Sequence, residues 1–206
     1  EGLAFFIAQD KAFPHNSAGS YLGLSNDTFI QYASFPGHNF FAVEFDIAKS
    51  PELNDPSSSH VGIDINSLRS IHTFDTSGDN NELSLHRDFK FQTWITFNAS
   101  TNMVQVWLKN YGNRTDYANS LERTAESLIL QAFIDPSVFN HTSMWVGITA
   151  TSGSLKEFEN DTTPSGYAIY SWYFSTFNEL IDISPSHSPS YQINNSSTES
   201  LPYNGN

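Results

Sequence analysis

The chain has 206 residues and carries 22 Asp plus Glu against nine Lys plus Arg, for a net charge of −13. A surface so acidic repels phosphate backbones and anionic membranes, which argues against nucleic acid or an anionic membrane surface as partner and favours bound cations. Aromatic residues make up 15% and charged residues another 15%, so the composition excludes a disordered chain and suits an aromatic, sheet-built core of one domain.

Residues 1–8, Glu-Gly-Leu-Ala-Phe-Phe-Ile-Ala, are apolar on both alternating faces and predict a strand central to a sheet. Residues 9–19 contain Pro14, Asn16, Ser17 and Gly19 and predict a surface loop, after which residues 20–24 resume the sheet. Two further strands, 39–47 and 60–74, flank a polar loop. Glu44 and Asp46 are two apart and share one strand face, Asp55 leaves the loop, and His60 opens the second strand. Three carboxylates and one imidazole form a ligand set for a divalent ion of the manganese type, and no Cys competes.

Residues 76–81 are turn-rich, and residues 89–97 alternate apolar with polar as a half-buried antiparallel strand does. Asn98 to Asn102 turn the chain into a strand over 103–109, where Val104, Val106 and Leu108 share a face, so the pair predicts a hairpin. Trp94 and Trp107 are expected to pack between sheets. Residues 110–124 predict an exposed loop or short edge strand, and Asp135-Pro136 a helical turn with Asp135 as its cap. Strands follow over 143–151 and 167–177, the latter with Ala168, Tyr170, Trp172 and Phe174 on one face, separated by an acidic loop over 156–166. Residues 1–180 are thus expected to form one β-rich domain, and 181–206, rich in Ser, Pro and Asn, a tail or linker. No apolar run is long enough to cross a membrane, so no membrane insertion is expected within this segment.

The stretch from Ala42 to Ser70 closely resembles the metal-binding segment of the legume (L-type) lectins, plant proteins that also form ectodomains of lectin receptor-like kinases. Residues 1–8 and 17–23 resemble the family's Asp-Gly-φ-Ala-Phe strand and Gly-Gly turn, and residues 146–153 and 171–174 its final turn and strand. The resemblance implies an all-β, concanavalin-like jelly-roll sandwich of antiparallel sheets. It also implies further strands upstream of residue 1, on a longer chain or a second one. Manganese or a similar transition metal is implied at Glu44, Asp46, Asp55 and His60, with Ser70 reached through water. Calcium is implied at Asp46, Asp55 and the Ala48 carbonyl, with Ser50 standing where the family has an Asn.

The family's sugar contacts fall on Glu1 (for Asp), Gly19 and Ser20 (for Gly-Gly), Ala48 (for a stacking ring) and Ser50. The resemblance therefore implies a glycan-binding module, and these departures imply weakened or lost sugar affinity. The alternative is a lectin-like defence protein or receptor ectodomain that recognises a small apolar or peptide ligand. An enzyme is not expected: Glu44-Phe45-Asp46 begins like the catalytic strand of some β-glucan hydrolases, but Ala48 and Lys49 stand where a second Glu is required. The resemblance also implies secretion or a cell-surface location and a possible homo-oligomer through sheet faces. Sequons at Asn26, Asn98, Asn113, Asn140, Asn160, Asn194 and Asn195 fit that setting.

Overall fold

The computed structural model of the chain describes residues 1–9, 14–26, 39–87, 89–112, 122–152 and 167–176. Glu1–Tyr170 form one compact unit. A second unit begins at Ser171, and its described residues, 171–176, have no regular structure and are largely exposed.

Eight strands make up the described part of the first unit: β1 (Gly2–Ala8), β2 (Phe40–Asp46), β3 (His60–Ile65), β4 (His72–Asp75), β5 (Lys90–Asn98), β6 (Met103–Gly112), β7 (Leu128–Phe133) and β8 (Trp145–Thr151). They form a five-stranded sheet in the order β4-β3-β2-β1-β8 and a three-stranded sheet in the order β5-β6-β7. Every pairing is antiparallel. The described residues contain short 3-10 turns and no α-helix, so the chain is the all-β sandwich that the sequence predicts.

Period-two alternation decides which side chains meet. Phe41 and Val43 on β2 and Val61 and Ile63 on β3 turn one way and meet Val104, Val106 and Leu108 on β6 and Leu130 and Ala132 on β7. Each of the Phe, Val, Ile and Leu side chains contributes about 1.5–3 kcal/mol when fully buried. The intervening residues of the five-stranded sheet are also buried, because loops cover the outer face. Phe6, Phe40 and Ala42 lie under Leu53, Leu68, Tyr21 and Leu24. Strand register is set at the far end of β2 by Asn66. Its side-chain Oδ1 accepts the Phe40 N–H at 2.7 Å while its own N–H donates to the Phe40 carbonyl at 2.9 Å.

Several sequence expectations are corrected. Residues 20–24 do not resume the sheet: Gly19–Tyr21 form a 3-10 turn, and positive φ at Gly19 (66°), Leu22 (51°) and Gly23 (75°) breaks extension. Residues 60–74 are two strands rather than one, because Asn66 is left-handed (φ 53°) and turns the chain. Residues 167–176 have the alternation of a strand but no ladder partner among the described residues, so they remain irregular. Residues 110–112 belong to β6 and not to a loop. Trp94 and Trp107 face each other across β5 and β6 on the side away from the core, and the Arg123 guanidinium covers Trp107 at 4.3 Å from its ring centroid. The predicted hairpin and the Asp135 cap, which accepts from the Ser137 N–H at 2.9 Å, are present. The acidic loop over 156–166 and the tail over 181–206 lie outside the described residues.

Candidate metal and ligand site

Small residues carve the site into the outer face of the five-stranded sheet. Glu44 on β2 is flanked across the strands by Ala4 and Gly62, and Asp46 by Gly2 and His60. A Cβ at Gly62 would stand 2.0 Å from Ser70 Oγ and 2.5 Å from Glu44 Oε1, so the carboxylate and hydroxyl occupy the volume a side chain there would take. Gly2 is equally constrained, since its Cβ would lie 2.3 Å from the Phe45 carbonyl oxygen.

Into this hollow point Glu44 (2% exposed), Asp46 (1%) and His60 (0%), whose ligand atoms all lie within 4.8 Å of one another. His60 Nδ1 is 3.0 Å from the Ser57 carbonyl, which can only accept, so Nδ1 carries a proton. Nε2 then faces the acids, 3.3 Å from Glu44 Oε1 and 3.7 Å from Asp55 Oδ1. Asp55 itself is fixed by its other oxygen, which accepts the Ser50 N–H at 2.6 Å. Asp46 Oδ1 accepts from the Ala48 N–H at 2.8 Å and from the main-chain nitrogen of Glu1 at 3.1 Å.

The electrostatics are those of acids crowded out of water. Burial pushes Asp46 above the usual carboxylate range, and burial pushes Asp55 up to about 6. For His60, burial pulls downward, but the hydrogen bond and charge of Glu44, with the charges of Asp55 and Asp46, lift the imidazole above its ordinary value. The group therefore gathers protons where no cation replaces them.

The sequence reading missed Asp64. It is fully buried on the same face as His60, opposite Ala42, and burial with the charge of Glu44 raises it well above its ordinary value. Ser70 Oγ lies 2.6 Å from Glu44 Oε1 and 2.8 Å from Asp64 Oδ1. One hydroxyl has one hydrogen, so the second contact needs a proton on a carboxyl, and the burial of Asp64 places it there. Asp64 Oδ2 is a buried oxygen with no hydrogen-bond partner among the described residues. The signal was available: His60 and Asp64 are four apart on one strand, the same parity that pairs Glu44 with Asp46. Tyr167 was missed as well. Its phenol is pushed up to about 12 by burial and by the charges of Glu1 and Asp46.

The remaining predicted positions divide. Glu1, Gly19, Ser20, Ala48 and Ser50 come to the corner formed by the start of β1, the 3-10 turn and the loop over 47–59. The Glu1 carbonyl accepts from the Ile47 N–H at 2.8 Å, and Ser50 Oγ donates to Ser20 Oγ at 2.8 Å. Among the sequons, Asn98 and Asn140 are exposed, and Asn26 is half-buried with Nδ2 donating to the His15 carbonyl. Asn113, Asn160, Asn194 and Asn195 lie outside the described residues.

The family profile described as the legume lectin domain matches residues 1–189. The chain belongs to the legume lectin domain family. Among its relatives is an Arabidopsis thaliana protein named a probable L-type lectin-domain containing receptor kinase S.7, 31% identical over 98% of this chain and 26% of the relative. Lectin I-B4 of Griffonia simplicifolia in a metal-free form is 30% identical, with a TM-score of 0.56 over 75% of this chain and 57% of that one. The winged bean acidic lectin complexed with methyl-α-D-galactose is 25% identical, with a TM-score of 0.52 over 74% and 54%. This legume lectin domain spans about a quarter of the length of the receptor kinase relative. No helix among its described residues is long and apolar enough to cross a membrane.

Proposed function

We propose that this legume lectin domain is a metal-shaped glycan-recognition module acting outside the cell. The observation that carries the reading is the convergence of Glu44, Asp46 and His60, all but inaccessible to solvent, with Asp55 beside them. Atoms about 2.1 Å from an octahedral ion sit about 3 Å apart when adjacent and about 4.2 Å when opposite. Separations of 3.3 and 3.7 Å suit such a set, and the neutral Nε2 of His60 is the lone pair it needs. Glu44, Asp46, Asp55 and His60 would hold a manganese-type ion, with Ser70 reached through water. Asp46, Asp55, the Ala48 carbonyl and Ser50 would hold calcium. Bound there, the ions would supply the positive charge that the buried carboxylates lack.

The chain's own residues then do the recognising. The Asp46 and Asp55 carboxylates already tie Ala48 and Ser50 into one loop shape, and Glu1, Gly19 and Ser20 border it. The acidic charge, the exposed sequons at Asn98 and Asn140, and the ectodomain relatives support a secreted or cell-surface glycoprotein, with residues 1–180 as its binding domain. A homo-oligomer through sheet faces remains part of the proposal. Sugar affinity is expected to be low, since Glu1, Ala48 and Ser50 lack the family's groups, and each buried polar group left unpaired costs on the order of 1–3 kcal/mol.

Titration calorimetry tests the reading. The metal-stripped chain should bind Mn²⁺, lose that binding in Glu44→Gln and His60→Ala, and show millimolar affinity for methyl-α-D-galactoside or methyl-α-D-mannoside only when Mn²⁺ and Ca²⁺ are present. Absence of Mn²⁺ binding by the parent would overturn it. The apolar or peptide-ligand reading is favoured by the exposed Ile169 and Tyr170 next to Tyr167, and sugar-independent ligand capture abolished by Ile169→Ser would select it.

A further inference from the structure

Ser50 sits in the loop over 47–59, between β2 and β3, only 3% exposed, with its N–H held by Asp55 Oδ2 at 2.6 Å. Its hydroxyl does not turn inward to the carboxylates. It donates across to Ser20 Oγ at 2.8 Å, on the neighbouring turn. That turn is secured at its other side, where Thr151 Oγ1 at the end of β8 donates to the Gly19 carbonyl at 2.8 Å. Within the turn, the Gly23 N–H donates to the Ser17 carbonyl at 2.7 Å, and Leu22 and Gly23 hold positive φ. The conformation is therefore uncommon for Leu22 and depends on outside support.

We infer that Ser50 and Ser20 form a two-hydroxyl relay that fastens the turn to the loop over 47–59 and aims the Ser20 proton at an acceptor oxygen of the ligand. Ser50 spends its single hydrogen on Ser20 Oγ, so the hydrogen of Ser20 is left to donate elsewhere. Ser20 is half-buried, and accepting from Ser50 polarises its hydroxyl into a stronger donor. Meanwhile the lone pairs of Ser50 Oγ stay free for a cation, so one side chain links the ion site to the turn. An uncharged polyhydroxylated ligand suits such a donor. The fastening stands on geometry alone; the donor role rests on the glycan reading.

Hydrogen exchange of the whole chain in chelator tests the fastening. Ser20→Ala and Ser50→Ala should each speed exchange of the amides of residues 22–24 by about five-fold, the equivalent of one hydrogen bond, and the double variant should add nothing further. Additive effects, or unchanged exchange in either single variant, would overturn the relay. Ser20→Thr, which keeps the hydroxyl, should exchange like the parent; if it matches Ser20→Ala, packing rather than the hydroxyl holds the turn. With Mn²⁺ and Ca²⁺ supplied, Ser20→Ala should weaken methyl-α-D-galactoside or methyl-α-D-mannoside binding at least five-fold, and Ser20→Thr should restore it. Equal binding by the parent and Ser20→Ala overturns the donor role. No glycoside binding by the parent overturns the glycan reading and the donor role together, while the exchange result still decides the fastening.

Discussion

The two faces of the five-stranded sheet are made from the same strands, yet they are built by opposite rules. Toward the second sheet, Phe41, Val43, Val61 and Ile63 fill space with branched and aromatic groups. Away from it, Gly2, Ala4, Ala42 and Gly62 leave space, and Glu44, Asp46, His60 and Asp64 occupy it. One face gains stability from burial as it stands. The other buries charge that burial disfavours, and it is completed only by protons or a cation. Apolar packing and the clustering of acids are thus assigned to alternate residues of the same strand.

The contrast can be broken most forcefully on the filled face. Ile63→Ala, at a fully buried site, should cost about 2–5 kcal/mol in urea unfolding, equally with and without Mn²⁺. On the carved face, Gly62→Ala should behave differently. The added methyl must displace the Ser70 hydroxyl and the Glu44 carboxylate, so Mn²⁺ affinity should fall on the order of 30-fold, roughly 2 kcal/mol, by calorimetry. The metal-free melting temperature should move far less than in Ile63→Ala.

The pH dependence sharpens the same point. Asp55 is raised to about 6, so the folded chain binds more protons than the unfolded one between about pH 4 and 6, and metal-free stability falls as pH climbs through that window. His60, also raised, stabilises fully below its ordinary value, and that contribution is lost as pH rises through its folded value. A cation must displace these protons. The gain in melting temperature on adding Mn²⁺ should therefore be larger at pH 7.5 than at pH 5 by scanning fluorimetry. The smallest effect is expected from Asp64→Asn, which copies the protonated acid. Metal-free stability at pH 7 should stay within about 1 kcal/mol of the parent, whereas a large gain would mean that Asp64 is ionised there.

Strand alternation made much of this legible in advance. The apolar runs gave β1, β2 and β6, and the two-residue step from Glu44 to Asp46 gave the shared face of the acids. What escaped were features set by three-dimensional closure. Nothing in residue type alone marks Asp64 as a buried acid; the fold buries it opposite Ala42. Nor does the sequence mark Gly62 as the position whose missing side chain makes room for the Glu44 carboxylate. Residues 20–24 carried the apolar character of a strand, but the left-handed dihedrals of Leu22 and Gly23 bend the chain into a cover for the outer face. Residues 167–176 show the converse, a strand-like pattern without a partner to complete it among the described residues.

The reciprocal clamp between Asn66 and Phe40 turns the site into a matter of parity. With one end of the β2–β3 ladder fixed there, the odd or even count of residues to Glu44, Asp46 and His60 decides whether those groups meet each other or are thrust into the hydrocarbon interior. A single-residue deletion between Phe40 and Glu44 inverts every later side chain of that strand. The loop over 47–59, by contrast, can change length without disturbing that count, provided Asp55 keeps its reach. In lineages that carry this arrangement, length variation should accumulate in the loop and be purged from the strands, whatever the loop is selected to bind.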